Sequence, residues 1–175
     1  VMKIVTKDIF QEWAIASAST LTVRNELHWL NTLRHEHLIH TVWHSETNDF
    51  LYLGMPHMLA GDLCVDIITN GPYDEEDAVL ICGQIVSGIG YMHDVGVAHR
   101  DIKPDNVGLS VRDRSTQQAK ILDLGLVKVC NYTSGCHTLC GTPLYMAPEV
   151  LWHYTPDSPN YGRQADMWSL GVLIY

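Results

Sequence analysis

The stretch His99-Arg100-Asp101-Ile102-Lys103-Pro104-Asp105-Asn106 places carboxylates, a lysine and an amide in one polar loop between apolar segments. Two short motifs follow it at equal intervals. Asp123-Leu124-Gly125 begins 17 residues after Asn106, and Cys140-Gly141-Thr142-Pro143 begins 17 residues after Asp123. An Asp-x-Gly sequence on its own is usually a turn. The ordered set, and not any single member, therefore indicates a site with its own chemistry.

The composition narrows the class of protein. A length of 175 residues and a hydrophobic content of 46% are sufficient for one domain with its own core. The formal net charge of −9 argues against nucleic-acid binding, which needs a basic face. No apolar run reaches the roughly 18 residues of a membrane span, and Val1-Met2-Lys3 does not begin a signal peptide. We expect neither a nucleic-acid partner nor a membrane span.

The cysteines do not match a metal-binding pattern. There are five, and no two of them form a C-x-x-C pair: Cys64, Cys82, Cys130, Cys136 and Cys140. The last three are close in sequence, but their spacing fits no zinc site. We expect reduced thiols in a cytoplasmic or nuclear protein, because disulfides are rare in those compartments.

Apolar periodicity predicts the first elements of the chain. Residues 1–5 form an apolar run typical of a strand. From about Ser19 to Arg34, apolar residues recur on one helical face, at Val23, Leu27, Leu30 and Leu33. Two short strands are expected near 40–44 and 50–55, with a connector over 56–61.

A second helix is predicted after Gly71-Pro72. Four acidic residues, 74–77, occupy its first turn, where the helix dipole favours negative charge. Its apolar stripe consists of Ala78, Ile81, Ile85, Ile89 and Met92. A strand pair near 107–109 and 120–122 and an apolar helix over 165–175 follow. Because the chain begins inside a strand and stops inside a helix, we expect both ends to be cuts through a larger domain.

The motifs, with Ala147-Pro148-Glu149 after them, resemble the catalytic, metal-binding and substrate loops of eukaryotic protein kinases, in the order of that family. Lys3 resembles the nucleotide lysine of these enzymes, and Glu26, in Asn25-Glu26-Leu27-x-x-Leu30, resembles its helix partner. The resemblance covers nearly the whole chain. It implies an α+β fold with two lobes. Residues 1–56 would belong to a small β-rich lobe and residues 57–175 to a mainly helical large lobe, with the site between them.

The resemblance also implies roles for the charged residues around the transferred phosphoryl group. Asp101 would meet the substrate hydroxyl, Lys103 would stabilise the phosphoryl group, and Thr142 would reach both of these side chains. Asn106 and Asp123 would supply the oxygen ligands that Mg²⁺ prefers. Positioning and charge neutralisation are the main tasks of a protein in phosphoryl transfer.

ATP is the second ligand that the resemblance implies. Lys3, paired with Glu26, would hold phosphate oxygens, although a lone Lys–Glu pair is usually a weak surface bridge. Further contacts are expected from the gatekeeper Met55, the carbonyl of Pro56, the backbone of Met58, and Asp62 near the ribose and substrate. Asp166 would brace the catalytic loop from a helix.

Three residues depart from the family pattern. Leu124 replaces the usual phenylalanine of the metal-binding loop, which still leaves an apolar plug. Val1 stands in place of a small alanine, and Gly108 stands in place of a larger apolar residue beneath the adenine. These changes are expected to alter nucleotide affinity more than chemistry, since no charged group is lost.

Lys103 and Gly141-Thr142-Pro143-x-Tyr145 resemble serine/threonine kinases, so protein hydroxyls are the expected substrates. Asp62 and Asp105 resemble acidic positions of basophilic kinases, which implies a preference for basic residues before the phosphorylated site. Thr138 resembles an activating site, modified by an upstream kinase or by autophosphorylation, with Arg100 as the receiver of the phosphate. Two alternatives remain: an inactive pseudokinase scaffold, and a nonfunctional fragment.

Overall fold

The structure is a computed structural model that describes residues 1–6, 19–130, 136, 139–152 and 161–175, with backbone alone for 19–23. The strands in these ranges are β1 (Met2–Thr6), β2 (Trp43–Glu46), β3 (Phe50–Gly54), β4 (Gly61–Asp62), β5 (Val97–Ala98), β6 (Val107–Leu109), β7 (Ala119–Ile121) and β8 (Lys128–Val129). The α-helices are α1 (Ser19–Thr32), α2 (Leu63–Asn70), α3 (Glu75–Asp94), α4 (Pro148–Leu151) and α5 (Gln164–Ile174). Helices and strands are thus mixed, and the predicted α+β class is confirmed.

The first sheet positions the lysine of β1. Its strand order is β1-β3-β2, and both pairings are antiparallel, with Lys3 opposite Leu53. Helix α1 lies beside it and buries Leu30 and Leu33, two of the four residues on the predicted apolar face. The sheet and α1 together therefore hold Lys3 and Glu26 close to one another.

A second small sheet brings the two polar loops together. Its strand order is β4-β6-β7, and Val107 pairs antiparallel with Ile121. Because Asn106 precedes the first of these residues and Leu122 follows the second, both leave the sheet at the same end. The backbone N–H of Leu122 donates to the carbonyl of Asn106 at 2.8 Å. Asn106 and Asp123 consequently lie at the same end of the strand pair β6–β7.

Helix α3 forms as the sequence predicts. The side chain of Asp74 accepts a hydrogen bond from the backbone N–H of Asp77, which caps the helix in the usual way. Ile81, Ile85, Ile89 and Met92 are all buried, and the helix packs against β7. Since β7 is followed by Leu122 and Asp123, this packing fixes the start of the loop that is predicted to bind metal.

Two elements differ from the sequence prediction. The strand expected at 40–44 runs instead from Trp43 to Glu46, because the N–H of Thr41 donates to the carbonyl of Leu30 at the end of α1. Helix α2 was not predicted. Its apolar residues do not mark its buried face, because Leu63 and Asp66 are buried whereas Val65, Ile67 and Ile68 are exposed.

The expectation of reduced thiols is wrong for two of the five cysteines. Cys130 and Cys136 form a disulfide with 6.1 Å between their Cα atoms. The pairing follows from tertiary structure, since the backbone of Cys136 is bonded to that of Tyr161. Cys64, Cys82 and Cys140 are free. Among the helices in the described ranges, none combines the length and the apolar character that a membrane span requires.

Candidate active site

The loop that is predicted to be catalytic, residues 99–106, is held in place by one buried carboxylate. Asp166, at the start of α5, is 2% exposed and accepts hydrogen bonds from the backbone N–H groups of His99 and Arg100, both at 2.8 Å. His99 is itself fully buried and contacts the carbonyl of Leu122 at 2.9 Å. Arg100 has a φ of 72°, which is uncommon for a side chain of its size. The bonds from Asp166 stabilise this conformation and thereby fix the direction of Asp101.

The side chain of Asp101 lies at the centre of a closed hydrogen-bond network. The hydroxyl of Thr142 donates to Asp101 Oδ1 at 2.7 Å and accepts from Lys103 Nζ at 2.7 Å. Lys103 Nζ is also 3.0 Å from Asp101 Oδ2. Asn106 Nδ2 donates to the same oxygen at 3.0 Å and to the backbone carbonyl of Asp101 at 2.8 Å. The carboxylate is therefore oriented by three different side chains.

The network also keeps Asp101 ionised. Burial acts to raise the pKa of this carboxyl, but hydrogen bonds from Thr142, Lys103 and Asn106 and the charge of Lys103 outweigh it. The net result is a pKa below the ordinary value. A carboxyl with such a pKa is an acceptor at neutral pH and can take a hydrogen bond from an incoming hydroxyl.

Asp123 and Asn106 offer oxygen atoms that fit a hard divalent cation. Asp123 is exposed and has a φ of 50°, and its Oδ1 accepts from the N–H of Gly125 at 3.2 Å. Because the amide nitrogen of Asn106 makes both bonds to Asp101, its Oδ1 is the atom left for a metal. Leu124, between Asp123 and Gly125, is fully buried, as expected for an apolar plug.

Lys3 and Glu26 form the ion pair expected from the sequence. Lys3 Nζ is 2.7 Å from both carboxylate oxygens of Glu26. The side chain of Glu26 is 8% exposed, whereas that of Lys3 is 43% exposed. The ammonium group is therefore held from one side by Glu26 and remains accessible to an anion from solvent.

A cavity of about 320 Å³ lies next to this pair, within the size range of small-molecule sites. Its lining includes Lys3, Glu26 and Asp123, together with the predicted adenine contacts Met55, Pro56 and Met58. A Cβ atom built on Gly108 would lie 2.5 Å from Met58 Cγ. Met58 thus fills the space that the missing side chain of Gly108 leaves, which accounts for the departure at that position.

Asp62 does not line this cavity; its carboxylate caps α2 by accepting from the N–H of Val65 at 2.9 Å. It belongs to β4, which packs against the segment Pro104–Asn106. The cavity lining therefore gives no support to a nucleotide contact by Asp62, and its place near the ribose and substrate stays a prediction.

With this geometry established, comparison with known proteins decides the family. A model of the protein kinase domain matches residues 1–175. The chain belongs to the protein kinase domain family. Myosin light chain kinase A of Dictyostelium discoideum is 37% identical over 87% of the chain, and calcium/calmodulin-dependent protein kinase type 1 of Caenorhabditis elegans is 36% identical over 88%. The ovarian-specific serine/threonine-protein kinase Lok of Drosophila melanogaster is 39% identical over 87%. The chain spans 50%, 42% and 32% of these three proteins, respectively.

The predicted regulatory threonine of this kinase domain, Thr138, lies outside the described residues. Its expected receiver, Arg100, donates from Nε to the carbonyl of Leu126 at 2.7 Å, and its Nη1 is 3.4 Å from the hydroxyl of Tyr161. Burial raises the pKa of Tyr161 to about 12, so this hydroxyl is neutral. The arginine charge accordingly faces neutral oxygen atoms in these two contacts.

Sequence reasoning missed several residues of the kinase domain that contact its functional loops. Tyr161 was given no role, and Asn25 was quoted only as the neighbour of Glu26. Asn25 and Trp29 both bond the backbone after Asp123. The only local signal was the placement of polar Asn25 and aromatic Trp29 one helical turn apart, a spacing that allows contact.

Proposed function

We propose that the protein containing this chain transfers the γ-phosphoryl group of ATP to serine or threonine hydroxyls of protein substrates. The observation that supports this most strongly is the network in which Asp101 accepts bonds from Thr142 and Asn106 and lies 3.0 Å from Lys103 Nζ. An ionised carboxylate in this setting can orient a substrate hydroxyl and receive its proton as the O–P bond forms. Lys103 can neutralise charge on the phosphoryl oxygens during the transfer.

The nucleotide would occupy the cavity beside Lys3. Lys3, held by Glu26, would contact phosphate oxygens, while the gatekeeper Met55, the carbonyl of Pro56 and the backbone of Met58 would surround the adenine. Proline costs no needed donor at position 56, because only its carbonyl is used. Asp123 and Asn106 would hold Mg²⁺, which when bound offsets the negative charge of the phosphates. Asp62 would act near the ribose and substrate.

The boundary between the two proposed lobes lies at Pro56. Residues 1–56 contain the β1-β3-β2 sheet and α1, and residues 57–175 contain the other described helices. The cavity is lined by residues from both sides of this boundary, such as Lys3 and Leu122. That arrangement supports a nucleotide site between two lobes.

The direct test is phosphorylation of a peptide library by the full-length protein with ATP and Mg²⁺, followed by mass spectrometry of the products. An Asp101→Asn preparation controls for contaminating kinases. We expect phosphoserine and phosphothreonine products from the parent protein alone. Binding of ATP without any transfer would contradict the proposal and favour a pseudokinase scaffold. Absence of both folding and binding would favour a nonfunctional fragment.

A preference for basic substrates is a finer part of the proposal. Asp62 belongs to β4, which packs against the segment Pro104–Asn106 that contains Asp105, so the two carboxylates come from adjacent segments. The net charge of −9 would also assist the approach of basic proteins. A peptide array should show arginine or lysine before the phosphorylated residue, and Asp62→Asn should weaken that bias. An array without any bias toward basic residues would refute it.

Activation by phosphorylation of Thr138 is the last part of the proposal. A phosphothreonine carries roughly −1.5 to −2 charges and can form charge-assisted hydrogen bonds with an arginine such as Arg100. Phosphopeptide mass spectrometry of the active protein and the activity of Thr138→Ala would test it. Full activity in the variant, with no phosphate on Thr138 in the parent, would end the idea.

The expected cytoplasmic or nuclear location remains part of the proposal as well. In those compartments a bond between Cys130 and Cys136 would be transient, because thiols are kept reduced there. Imaging of the tagged full-length protein in cells tests the location. Detection only in a secretory compartment would overturn it.

A further inference from the structure

Three successive carbonyl groups after Asp123 are bonded to side chains from two separate elements. Asn25 Nδ2, on α1, donates to the carbonyl of Gly125 at 3.0 Å and to that of Val127 at 2.8 Å. Between them, the carbonyl of Leu126 accepts from Arg100 Nε, in the catalytic loop, at 2.7 Å. The metal-binding loop is therefore fixed by α1 on one side and by the catalytic loop on the other.

Trp29 determines the orientation of the Asn25 amide. Its indole nitrogen Nε1 is 2.9 Å from Asn25 Oδ1 and 3.2 Å from the carbonyl of Val127, and the side chain is buried. An indole N–H can only donate, so the amide oxygen must face Trp29 and the amide nitrogen must face the two carbonyls. Aspartate, which has the same shape, could accept from Trp29 but would place a carboxylate oxygen against two carbonyl oxygens.

The position of Asn25 links two parts of the proposed site. Its neighbour Glu26 holds Lys3 at 2.7 Å, while Asn25 holds the backbone that begins two residues after Asp123. Asp123 has a φ of 50°, a conformation that is uncommon outside glycine but that aspartate adopts more readily than most residues. Bonds to the carbonyls of Gly125 and Val127 restrict the segment that leaves Asp123.

We propose that Asn25 is a positioning residue, which together with Trp29 holds Asp123 in the orientation needed for a metal ligand. This inference rests on the proposed function, because it assigns Asp123 to Mg²⁺ binding. Asn25 itself acts only through the backbone of Gly125 and Val127. Its loss should change how strongly Mg²⁺ increases ATP affinity, without changing the affinity for ATP alone.

The test compares Asn25→Asp with Asn48→Asp in the full-length protein. Asn48 is exposed in the turn between β2 and β3, so its variant introduces the same charge away from the site. Calorimetry measures ATP affinity with and without Mg²⁺, and hydrogen exchange follows the backbone amides of residues 124–127. For Asn25→Asp we expect the Mg²⁺ enhancement to fall about tenfold, the scale of one or two lost hydrogen bonds. Metal-free affinity should stay the same and exchange should become faster, while Asn48→Asp should match the parent.

The results distinguish a failure of the positioning role of Asn25 from a failure of the proposed function. An unchanged Mg²⁺ enhancement in Asn25→Asp would overturn the positioning role, even if exchange became faster, because Asn25 would then be structural only. A parent protein that binds ATP without any Mg²⁺ enhancement would overturn the proposed function, and this inference with it. If Asn25→Asp does not fold, Trp29→Phe removes the indole N–H but keeps an aromatic ring. It should reduce the enhancement by a smaller factor, and no reduction would count against the proposal.

Discussion

The proposed substrate side and the proposed nucleotide side of the site are built in different ways. On the substrate side, Asp101, Lys103 and Thr142 are joined to one another by contacts of 2.7 to 3.0 Å. On the nucleotide side, Asp123 is exposed, and Lys3 keeps 43% of its side chain exposed beside the cavity of about 320 Å³. The charges of Asp101 and Lys103 are therefore compensated within the chain. The charges of Asp123 and Lys3 remain accessible, and a bound ligand could compensate them.

The reason for this difference is electrostatic. Asp101 is 12% exposed, and a carboxylate at that depth is stable only with hydrogen-bond partners. Asp123 is exposed to solvent, so water can stabilise its charge until a cation replaces that water. Variants on the two sides should therefore fail in distinguishable ways: those on the substrate side should lose transfer, and those on the nucleotide side should lose binding.

Asp101→Asn should have the largest effect. The variant keeps the shape of the side chain but removes the charge that receives the hydroxyl proton, so the transfer rate should fall on the order of 100-fold or more. ATP affinity should be unchanged, because the proposed role of Asp101 is toward the substrate hydroxyl and not the nucleotide. Single-turnover kinetics and calorimetry on the same sample measure both quantities. Undiminished transfer would remove Asp101 from the chemistry.

Asp123→Ala should have the next largest effect, on binding. It removes the proposed carboxylate ligand of the metal. The factor by which Mg²⁺ increases ATP affinity should therefore fall at least about tenfold. Titration with ATP in the presence of Mg²⁺, and again in the presence of a chelator, gives the dependence. If the variant responds to Mg²⁺ as the parent does, the ligand lies elsewhere.

Thr142→Val should affect transfer more moderately. Valine keeps the shape but removes the hydroxyl that joins Asp101 to Lys103, and the loss of such hydrogen bonds corresponds to about a tenfold lower transfer rate. Thr142→Ser retains the hydroxyl and serves as the matched control. Equal rates in the two variants would show that the hydroxyl is not needed.

Gly108→Ala should have the smallest effect. The new methyl group would meet Met58 Cγ at 2.5 Å and Leu122 Cδ1 at 3.0 Å, and crowding of this kind should weaken ATP binding about threefold. Met58→Ala in the same background should relieve it. Gly90→Ala, on an exposed part of α3 with no atom within 4 Å of the new Cβ, is the control. No change in affinity for Gly108→Ala would mean that Met58 moves aside freely.

Local patterns in the sequence predicted the polar and charged residues of the candidate site but not the contacts that position them. Asp101, Asn106 and Asp123 could be predicted as candidate site residues because their residue types and spacing form an ordered set. The bonds from Asn25 join residues 100 and 102 positions apart, a proximity that depends on how α1 packs. The Cys130–Cys136 disulfide and the absence of Asp62 from the cavity lining also depend on tertiary structure.

The same distinction applies to secondary structure. Helix α3 could be predicted because it has both an acidic first turn and one apolar stripe. The start of β2 could not, since the hydrogen bond between Thr41 and Leu30 decides where the strand begins. Periodicity reports which face of an element is apolar, but a contact with another element can move its end.

The most direct test of the account is a carbon NMR titration of the Asp101 carboxyl in the ligand-free protein, with Asp101→Asn used to assign the signal. Burial acts to raise the pKa of Asp101, but hydrogen bonds from Thr142, Lys103 and Asn106 lower it by more, so the net shift is downward. We predict a midpoint clearly below the ordinary carboxyl value of about 4 in the ligand-free protein. These bonds should stabilise the fold above that ordinary value, and the stabilisation should disappear as the pH falls through the lower pKa. A midpoint at or above about 4 in the ligand-free protein would contradict the claim that Thr142, Lys103 and Asn106 stabilise the ionised carboxylate of Asp101 without a ligand.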